Sequence, residues 1–347
     1  MSTKEAITHD NHYVPQFYLK YWSNNGNTIH SYNGILRHKS GLGWQTKPIK
    51  STACLQDYYT DEIDGVDDDK VESLFEKSEN KTRPIFEQIK STGFISDSEM
   101  STLIDYTIIQ IARTPAFYKF SNSITESMFD QLFRNLVQNL GTEGAHPSVE
   151  RVEHRDETPY LPLNLEMNRT DRTITAETCI GRHAFLSSAM SFIDGKIANI
   201  LRHSHWRIIS CEESLLTSDN PVVFLRFNQI EKGWMTGLQA NADHDLKAVY
   251  FPITPHHLLI TLFGASQQSL DSLAMTNDLC AFIQRGTVYN AQRYIYSNSS
   301  DNRVLRWRPQ LIDRDAYDAL EDERKSWHES NLKLEKDFFP QKKIVIT

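Results

Sequence analysis

Cysteine is scarce in this sequence. Its 347 residues include four cysteines that stand far apart, without a CxxC pair, at Cys54, Cys179, Cys211 and Cys280. A structural zinc site made of thiolates needs closely spaced cysteine pairs, so this class of site is excluded. The N-terminus lacks the basic start and apolar run of a signal peptide, so we expect a cytoplasmic protein without disulfides. We interpret the four cysteines as small buried hydrophobic residues.

Several motifs of well-known enzyme classes are also absent. No GxxxxGK[ST] segment is present, which argues against a P-loop nucleotide fold. Gly41 and Gly43 form a GxG, but no glycine follows three residues later, so the dinucleotide fingerprint fails. The sequence has no GxSxG nucleophile elbow and no HExxH zinc motif. No apolar run approaches the about 18 residues that span a bilayer, so we expect no membrane partner.

Acidic residues outnumber basic ones, and the formal net charge is -8. Extended binding along nucleic acid needs a dominant positive field, so the charge disfavours long duplexes as partners. It leaves a nucleotide or a nucleic-acid end open as a substrate. Hydrophobic residues make up 39% and aromatic residues 11% of the chain, which indicates a globular protein.

The order of the periodic segments predicts the fold class. Helical periodicity dominates the first half, where Pro84 is expected to kink or split one helix and Thr114-Pro115 to interrupt another. Short β-branched and aromatic segments dominate after residue 205. This order predicts an α+β fold, with a helical N-terminal half packed on a mixed or antiparallel sheet formed mainly by the C-terminal half.

Composition along the chain suggests three parts. We expect a flexible tail at 1–11 and a single α+β domain at 12–300, followed by a C-terminal extension at 301–347. Within the domain we expect a helical lobe at 61–140 and a mobile loop at 141–173, which is polar and contains proline. A helix is expected from about residue 175 to 203.

The first polar candidate is His12, which stands three residues before Pro15. Proline fits the first turn of a helix, so His12 is expected near a helix N-terminus. The positive end of the helix dipole favours a neutral imidazole there, and a neutral imidazole can act as a base. A capping or core histidine gives the same pattern, so both interpretations stay open.

The second group consists of polar residues on two helices. Glu72, Glu76 and Glu79 are spaced to share one helical face, which suits a metal site, acid–base chemistry or a solvated surface. Gln110 and Arg113 lie three residues apart on the most apolar helix. A buried guanidinium needs a partner, and Glu79 on the preceding helix is the predicted one. A structural ion pair and an anion-binding arginine are both consistent with this pattern.

The third candidate is the polar segment Thr217–Pro221, which lies between two apolar strands. Asp219 could bind a metal or act as a base, while Ser218 and Asn220 could hold a substrate. The same residues also make a good turn. Weaker signals are Asn290 and Arg293, further along the chain.

Six segments, taken in order, resemble the DUF4238 family, a domain of unknown function found mainly in bacteria. They are HYVPQFYL at 12–19, the VES…E stretch at 71–79, QIARTP at 110–115, TSDNPVV at 217–223, FPITP at 251–255 and NAQRYIYS at 290–297. The resemblance implies that recurrent family positions fall on His12, Pro15, Glu72, Glu79, Gln110, Arg113, Ser218, Asp219, Asn220 and Pro221. It brings no established activity.

The polar set favours a hydrolase that acts on a phosphodiester or nucleotide-like substrate. In this hypothesis His12 is the base, Arg113 stabilises negative charge, and Glu79 and Asp219 share acid–base work or hold a divalent cation such as Mg. Substrate contacts are assigned to Gln110, Ser218, Asn220 and Arg293. Such a nuclease-like or nucleotide-hydrolysing enzyme would suit bacterial antiphage defence or toxicity. The alternative is a non-catalytic binding or sensor protein in which the same residues form a buried polar network.

Overall fold

The computed structural model describes residues 10–37, 43–56, 58–59, 61–63, 66–68, 70–142, 163–168, 173–178, 182–229, 232–238 and 246–338. The helices are α1 (Gln16–Leu19), α2 (Lys70–Thr92), α3 (Asp97–Ala112), α4 (Pro115–Thr142), α5 (Arg182–Ile193), α6 (Lys196–His203), α7 (Gln267–Asp271), α8 (Asn277–Asn290), α9 (Asn302–Trp307) and α10 (Arg314–Phe338). The strands are β1 (Asp10–His12), β2 (Thr28–Asn33), β3 (Trp44–Pro48), β4 (Cys54–Gln56), β5 (Asp61–Ile63), β6 (Val66–Asp68), β7 (Leu163–Asn168), β8 (Thr173–Thr178), β9 (Arg207–Ser210), β10 (Thr217–Ser218), β11 (Val223–Asn228), β12 (Gly233–Thr236), β13 (Leu246–Thr254), β14 (His257–Leu262) and β15 (Tyr294–Ser297).

The largest sheet belongs to the C-terminal half of the chain. It has five strands in the order β12-β11-β13-β14-β9, and each neighbouring pair is antiparallel. Strand β13 is buried from Ala248 to Thr254, which places it at the centre of the core. The α+β class and the antiparallel C-terminal sheet are therefore as the sequence predicts.

A second sheet corrects the expectation that the strands lie mainly in the C-terminal half. Its four strands run in the order β10-β15-β2-β3, so two of them come from the first 50 residues. Strand β15 pairs with β10 on one side and with β2 on the other, both antiparallel. Alternating polarity marks β2 and β3 as strands, but it carries no information on partners so distant in sequence.

Aromatic side chains join the helices to the five-stranded sheet. Phe17 of α1 contacts Phe86 of α2 and Tyr106 of α3, with ring centroids 5.5 and 5.8 Å apart. Phe251 of β13 lies 6.4 Å from Phe86 and 6.2 Å from Tyr106. These rings are all buried, so they form the centre of the hydrophobic core and fix the helical half on the sheet.

Two helix predictions need correction. Helix α2 runs from Lys70 to Thr92 through Pro84, so Pro84 does not split it. The helix expected at about 175–203 is replaced by β8, α5 and α6. The break between α5 and α6 falls at Gly195, which is the N-cap of α6. A side chain at Gly195 would place its Cβ 2.8 Å from the carbonyl oxygen of Ser191, so this junction requires glycine.

The predicted tail and loop lie largely outside the described residues. In the tail, residues 1–9 are not described, whereas Asp10 and Asn11 belong to β1 and pair with Gln56 and Leu55 of β4. In the loop at 141–173, residues 143–162 and 169–172 are not described, and β7 pairs with β8 as an antiparallel hairpin. The limits of the predicted domain and extension stay predictions.

The start of the C-terminal extension is hydrogen bonded to the rest of the fold. The guanidinium of Arg308 donates to the backbone carbonyls of Val288, Ala291 and Gln292 at the end of α8. A side chain that satisfies three carbonyls at the end of a helix caps the helix C-terminus, where a positive charge is also favourable. This contact fixes the segment that connects α8 to β15.

Candidate functional site

The four predicted catalytic residues lie in two separate hydrogen-bonded groups. Glu79, Arg113 and the backbone of His12 form the first, which we call the Arg113 cluster together with Gln110 and the backbone of Tyr13. Asp219 belongs to the second, the Asp219 cluster, with Ser218, Asn220, Asn290 and the backbone amides of residues 292–294. No hydrogen bond or ion pair among the described residues joins the two clusters directly.

Arg113 is the centre of the first cluster. It caps the C-terminus of α3, and its side chain is 1% exposed. Its Nη1 lies 2.7 Å from Oε1 of Glu79 on α2, which is the predicted pairing. Burial alone would lower the pKa of Arg113, but the Glu79 carboxylate and the neighbouring Tyr59 raise it above its ordinary value. The guanidinium is therefore permanently charged and paired.

Arg113 and Gln110 both hold the start of the N-terminal segment. The Nη2 of Arg113 donates to the carbonyl oxygen of His12, and Nε2 of Gln110 donates to that of Tyr13 at 2.9 Å. Gln110 is fully buried. Two side chains of one helix thus satisfy two consecutive backbone carbonyls, which positions residues 12–13 against α3. This is a structural function for both residues.

The His12 side chain makes its own hydrogen bond, separate from the backbone contact just described. Its Nε2 lies 3.1 Å from the carbonyl oxygen of Lys50. A carbonyl only accepts, so Nε2 carries the proton and Nδ1 of the neutral ring is an acceptor. Burial lowers the pKa of His12, and the charge of Arg113 lowers it further, while the Lys50 bond and Glu79 act in the opposite direction. The ring is consequently neutral near pH 7.

Asp219 lies where β10 pairs with β15. Its Oδ1 accepts from the backbone N–H of Gln292 at 2.8 Å, and its Oδ2 accepts from those of Arg293 and Tyr294 at 2.6 and 2.9 Å. The residue is 3% exposed. Burial raises the pKa of Asp219, and the three N–H donors oppose that shift. Both carboxylate oxygens are occupied by the turn before β15, so the carboxylate stabilises this turn.

Asn220 and Asn290 connect that turn to the end of α8. The side-chain amide of Asn220 donates to the carbonyl of Asn290 at 3.1 Å. The amide of Asn290 donates to the carbonyls of Asn220 and Val222 at 2.8 and 3.0 Å. Ser218 is fully buried, and its Oγ accepts from the backbone N–H of Asn220 at 3.1 Å. Its hydroxyl therefore shapes the turn.

Arg293 makes its side-chain contact elsewhere. Its guanidinium forms an ion pair with Glu321 on α10 and lies over the ring of Tyr317. Its backbone N–H is the group that contacts Asp219. Arg293, for which a substrate contact was predicted, is therefore not among the residues that line the cleft described next.

A cleft of about 490 Å³ adjoins the Asp219 cluster. It lies between the start of α4, the hairpin of β11 and β12, and the end of α8. Its walls are formed by Ile111, Ala116, Lys119, Phe120, Ser123, Ile124, Asn220, Val222, Phe224, Thr236, Gly237, Leu238, Tyr289, Asn290 and Gln292. Asn220 belongs to the predicted site residues, whereas His12, Glu79, Arg113 and Asp219 are not among the lining residues.

Five polar lining residues were not predicted from the sequence. They are Lys119, Ser123, Thr236, Tyr289 and Gln292. Gln292 lies in the segment NAQR at 290–293, in which the sequence analysis singles out Asn290 and Arg293. Lys119 and Tyr289 are single residues on amphipathic helices, where a polar or aromatic side chain on the exposed face is ordinary. Only the packing of three distant elements identifies them.

Two further observations concern the described part of the chain. No three His, Cys, Asp or Glu side chains within it come together in an arrangement that could hold a metal ion. Glu79 and Asp219, the predicted metal ligands, instead belong to the two different clusters. None of the described helices combines the length and apolar character needed to cross a membrane.

Comparison with family models gives a match over most of the chain. A family model described as "Protein of unknown function (DUF4238)" matches residues 10–301. No curated protein and no solved structure matches the chain. The matched range contains both clusters and every residue that lines the cleft.

Proposed function

The chain belongs to the DUF4238 family, and from that premise we propose that it is a binding protein whose cleft takes a nucleotide-like small molecule. One observation carries the proposal. Asn220 and Asn290 belong to the buried Asp219 cluster and also line the cleft. Two of the buried polar residues of the Asp219 cluster therefore form part of the wall of a cleft. This is the non-catalytic alternative left open by the sequence.

The size of the cleft fits a small organic molecule. Its volume of about 490 Å³ lies within the range of about 300–1,000 Å³ that small-molecule sites occupy. Most of its lining is apolar, with Phe120 and Phe224 among the aromatic members. Tyr289 adds a ring that is 54% exposed and available for stacking on a planar group. Such a surface suits an aromatic heterocycle.

The polar groups of the cleft suit a nucleobase and a phosphate. The side-chain amide of Gln292 brings both a donor and an acceptor, which is what the edge of a base requires. Asn220 and Asn290, whose amide nitrogens already donate to backbone carbonyls, keep their Oδ1 atoms as acceptors. Lys119 is exposed, and no carboxylate lies among the described lining residues. The local charge is therefore positive in a chain whose net charge is -8. An anionic group is favoured here although the protein as a whole is acidic.

Isothermal titration calorimetry with nucleoside mono-, di- and triphosphates tests this proposal. We expect one bound nucleotide per chain, with affinity lowered about tenfold in Lys119→Ala and in Tyr289→Ala. Both side chains are exposed, so neither substitution should change thermal unfolding. Lys77→Ala is the matched control, because Lys77 is exposed on α2 and does not line the cleft. Absence of binding across the panel, or equal affinities in all four proteins, would reject the proposal.

A hydrolase remains the second candidate, and one observation favours it. Nδ1 of His12 is an acceptor on a neutral ring whose Nε2–H is fixed by Lys50, close enough to Glu79 and Arg113 for their charges to act on its pKa. Such a nitrogen can take a proton from a water whose oxygen attacks phosphorus, while the leaving oxygen is protonated by solvent. We expect hydrolysis of a phosphodiester, with or without Mg²⁺, to be lost in His12→Gln if this candidate holds. Bacterial defence or toxicity would suit that activity and stays a prediction.

A further inference from the structure

We infer that the chain has a second ligand site, separate from the cleft, which binds the phosphate group of a small phosphate monoester. It is a cavity of about 220 Å³ between the four-stranded sheet and the start of α10. Its lining residues are Ser31, Asn33, Leu36, Gly43, Gln45, Lys47, Tyr294, Gln310, Arg314 and Tyr317. None of these residues lines the cleft. We call this space the sheet cavity.

Two cations and no carboxylates occur among the described residues that line the sheet cavity. Lys47 extends from β3 and lies with its Nζ 4.8 Å from the ring centroid of Tyr294. Burial lowers the pKa of Lys47, and the charge of Arg314 lowers it too, so the two cations are close enough to repel each other. An anion between them would relieve this repulsion and would offset the burial of Lys47.

Two of the nearby carboxylates are used by other groups, and the third pairs only weakly with Arg314. Glu321 pairs with Arg293. The Oδ1 of Asp313 accepts from the backbone N–H of Ala316 and caps the start of α10. Asp318 lies 3.8 Å from Arg314, but both side chains are more than 60% exposed, so this pair is weak. The positive end of the α10 dipole adds to the preference for an anion.

Hydroxyl donors complete the sheet cavity. Ser31 is 2% exposed, and its Oγ has no hydrogen-bond partner among the described residues although it lines the cavity. A buried hydroxyl without a partner is costly, and a ligand oxygen would satisfy it. The hydroxyls of Tyr294 and Tyr317 lie 3.0 Å apart. One proton is used between these two oxygens, so the other proton is available to a ligand.

The donor set and the volume define the ligand class. Lysine and arginine charges combined with hydroxyl donors match the oxygens of a phosphate group. A phosphate ion alone is smaller than the cavity, so the remaining space suits a short organic substituent. Carboxylates and sulfate share part of this chemistry and serve as competing probes.

Calorimetric titration with inorganic phosphate and with glycerol 3-phosphate tests the site, with chloride at matched ionic strength as the blank. We expect glycerol 3-phosphate to bind at least as tightly as phosphate. Lys47→Gln should weaken both by about tenfold or more, and Ser31→Ala by a smaller factor. Lys77→Gln on α2 removes the same charge and should bind like the wild type. Thermal unfolding of each variant reports whether the fold is intact, and Ser31→Ala provides the test if Lys47→Gln does not fold.

The cleft offers a second place for a phosphate group, so Lys119→Ala is a necessary comparison. Binding in the sheet cavity predicts that Lys119→Ala leaves the phosphate affinity unchanged. The inference is overturned if phosphate binds no better than sulfate and chloride at equal ionic strength. It is equally overturned if Lys119→Ala abolishes phosphate binding or if Lys47→Gln and Ser31→Ala both retain the wild-type affinity. None of these results depends on whether nucleotides bind in the cleft.

Discussion

Asn220 and Asn290 are held together by reciprocal hydrogen bonds, in which each side-chain amide donates to the backbone carbonyl of the other residue, at 3.1 and 2.8 Å. The pair joins the turn after β10 to the last residue of α8, and both residues line the cleft. Two hydrogen bonds between the same two residues restrain the two segments more than a single hydrogen bond would. The shape of the cleft should therefore depend on it.

Replacing Asn290 by alanine tests this dependence. The substitution leaves the buried carbonyls of Asn220 and Val222 without their donor, so we expect the free energy of unfolding to fall by about 2–3 kcal/mol. Urea denaturation measures the change. Asn122→Ala on α4 is the control and should change stability by less than about 0.5 kcal/mol. A cost for Asn290→Ala no larger than that of the control would show that the pair does not stabilise the cleft.

The ion pair between Glu79 and Arg113 predicts an asymmetric response. Glu79→Gln leaves a buried guanidinium without its counterion, and we expect it to cost about 3 kcal/mol, the low end for buried pairs because Glu79 is 18% exposed. In the double variant Glu79→Gln, Arg113→Met the uncompensated charge is gone. The double variant should therefore be less destabilised than the sum of the two single variants, as a double-mutant cycle will measure. Additive costs would contradict a direct pairing.

The lowered pKa of His12 predicts a pH dependence of stability. Because the folded-state pKa lies below the ordinary value of 6.5, the unfolded chain binds more protons in the interval between the two values. The stability contributed by His12 is therefore complete above about pH 6.5 and is lost as the pH falls through the folded-state pKa. His12→Gln removes this titration. The stability of the wild type relative to His12→Gln should decrease from about pH 7.5 to about pH 5.

Other groups that titrate in the same range, such as His257, whose pKa is also lowered by burial, are present in both proteins and cancel in the difference. Urea denaturation at each pH gives the two curves. A difference that stays constant or grows on acidification would mean that His12 is not held as a neutral ring.

Gly286 on α8 has too little space for a side chain. A Cβ at this position would lie 2.2 Å from the hydroxyl oxygen of Tyr250, which donates to the carbonyl of Ile283. We expect Gly286→Ala to cost about 1–3 kcal/mol through this overlap. In a Tyr250→Phe background the next atom, Cζ of residue 250, is at an ordinary 3.5 Å. There the same substitution should be neutral or stabilising, because alanine favours helices over glycine by about 0.5–1 kcal/mol. Equal costs in both backgrounds would rule out the overlap with the hydroxyl.

The sequence predicted contacts that depend on nearby elements. The apolar run of α3 and the Thr114-Pro115 junction placed Arg113 at the end of a buried helix, and burial required a partner. Since α2 and α3 are consecutive, Glu79 was identified correctly as that partner. The α+β class followed in the same way from helical and alternating periodicities.

Contacts between distant segments could not be predicted. The Ser218–Asp219–Asn220 segment is consistent with a site and with a turn. Its contacts depend on the backbone N–H groups of Gln292 and Arg293, more than 70 residues further along the chain. The pairing of β2 with β15 likewise joins strands that lie far apart in the sequence. Lys119 and Tyr289 carry no signal at all in the sequence, because the cleft exists only where α4, α8 and the hairpin of β11 and β12 meet.

A binding protein and a hydrolase differ in what happens to a nucleotide held in the cleft. Wild-type protein in excess is incubated with the tightest-binding nucleotide of the calorimetric panel, with and without Mg²⁺, and the nucleotide is then recovered and separated by chromatography. Binding without turnover predicts that the nucleotide returns unchanged. A hydrolysis product that forms with the wild type and not with His12→Gln would contradict it and would establish the hydrolase.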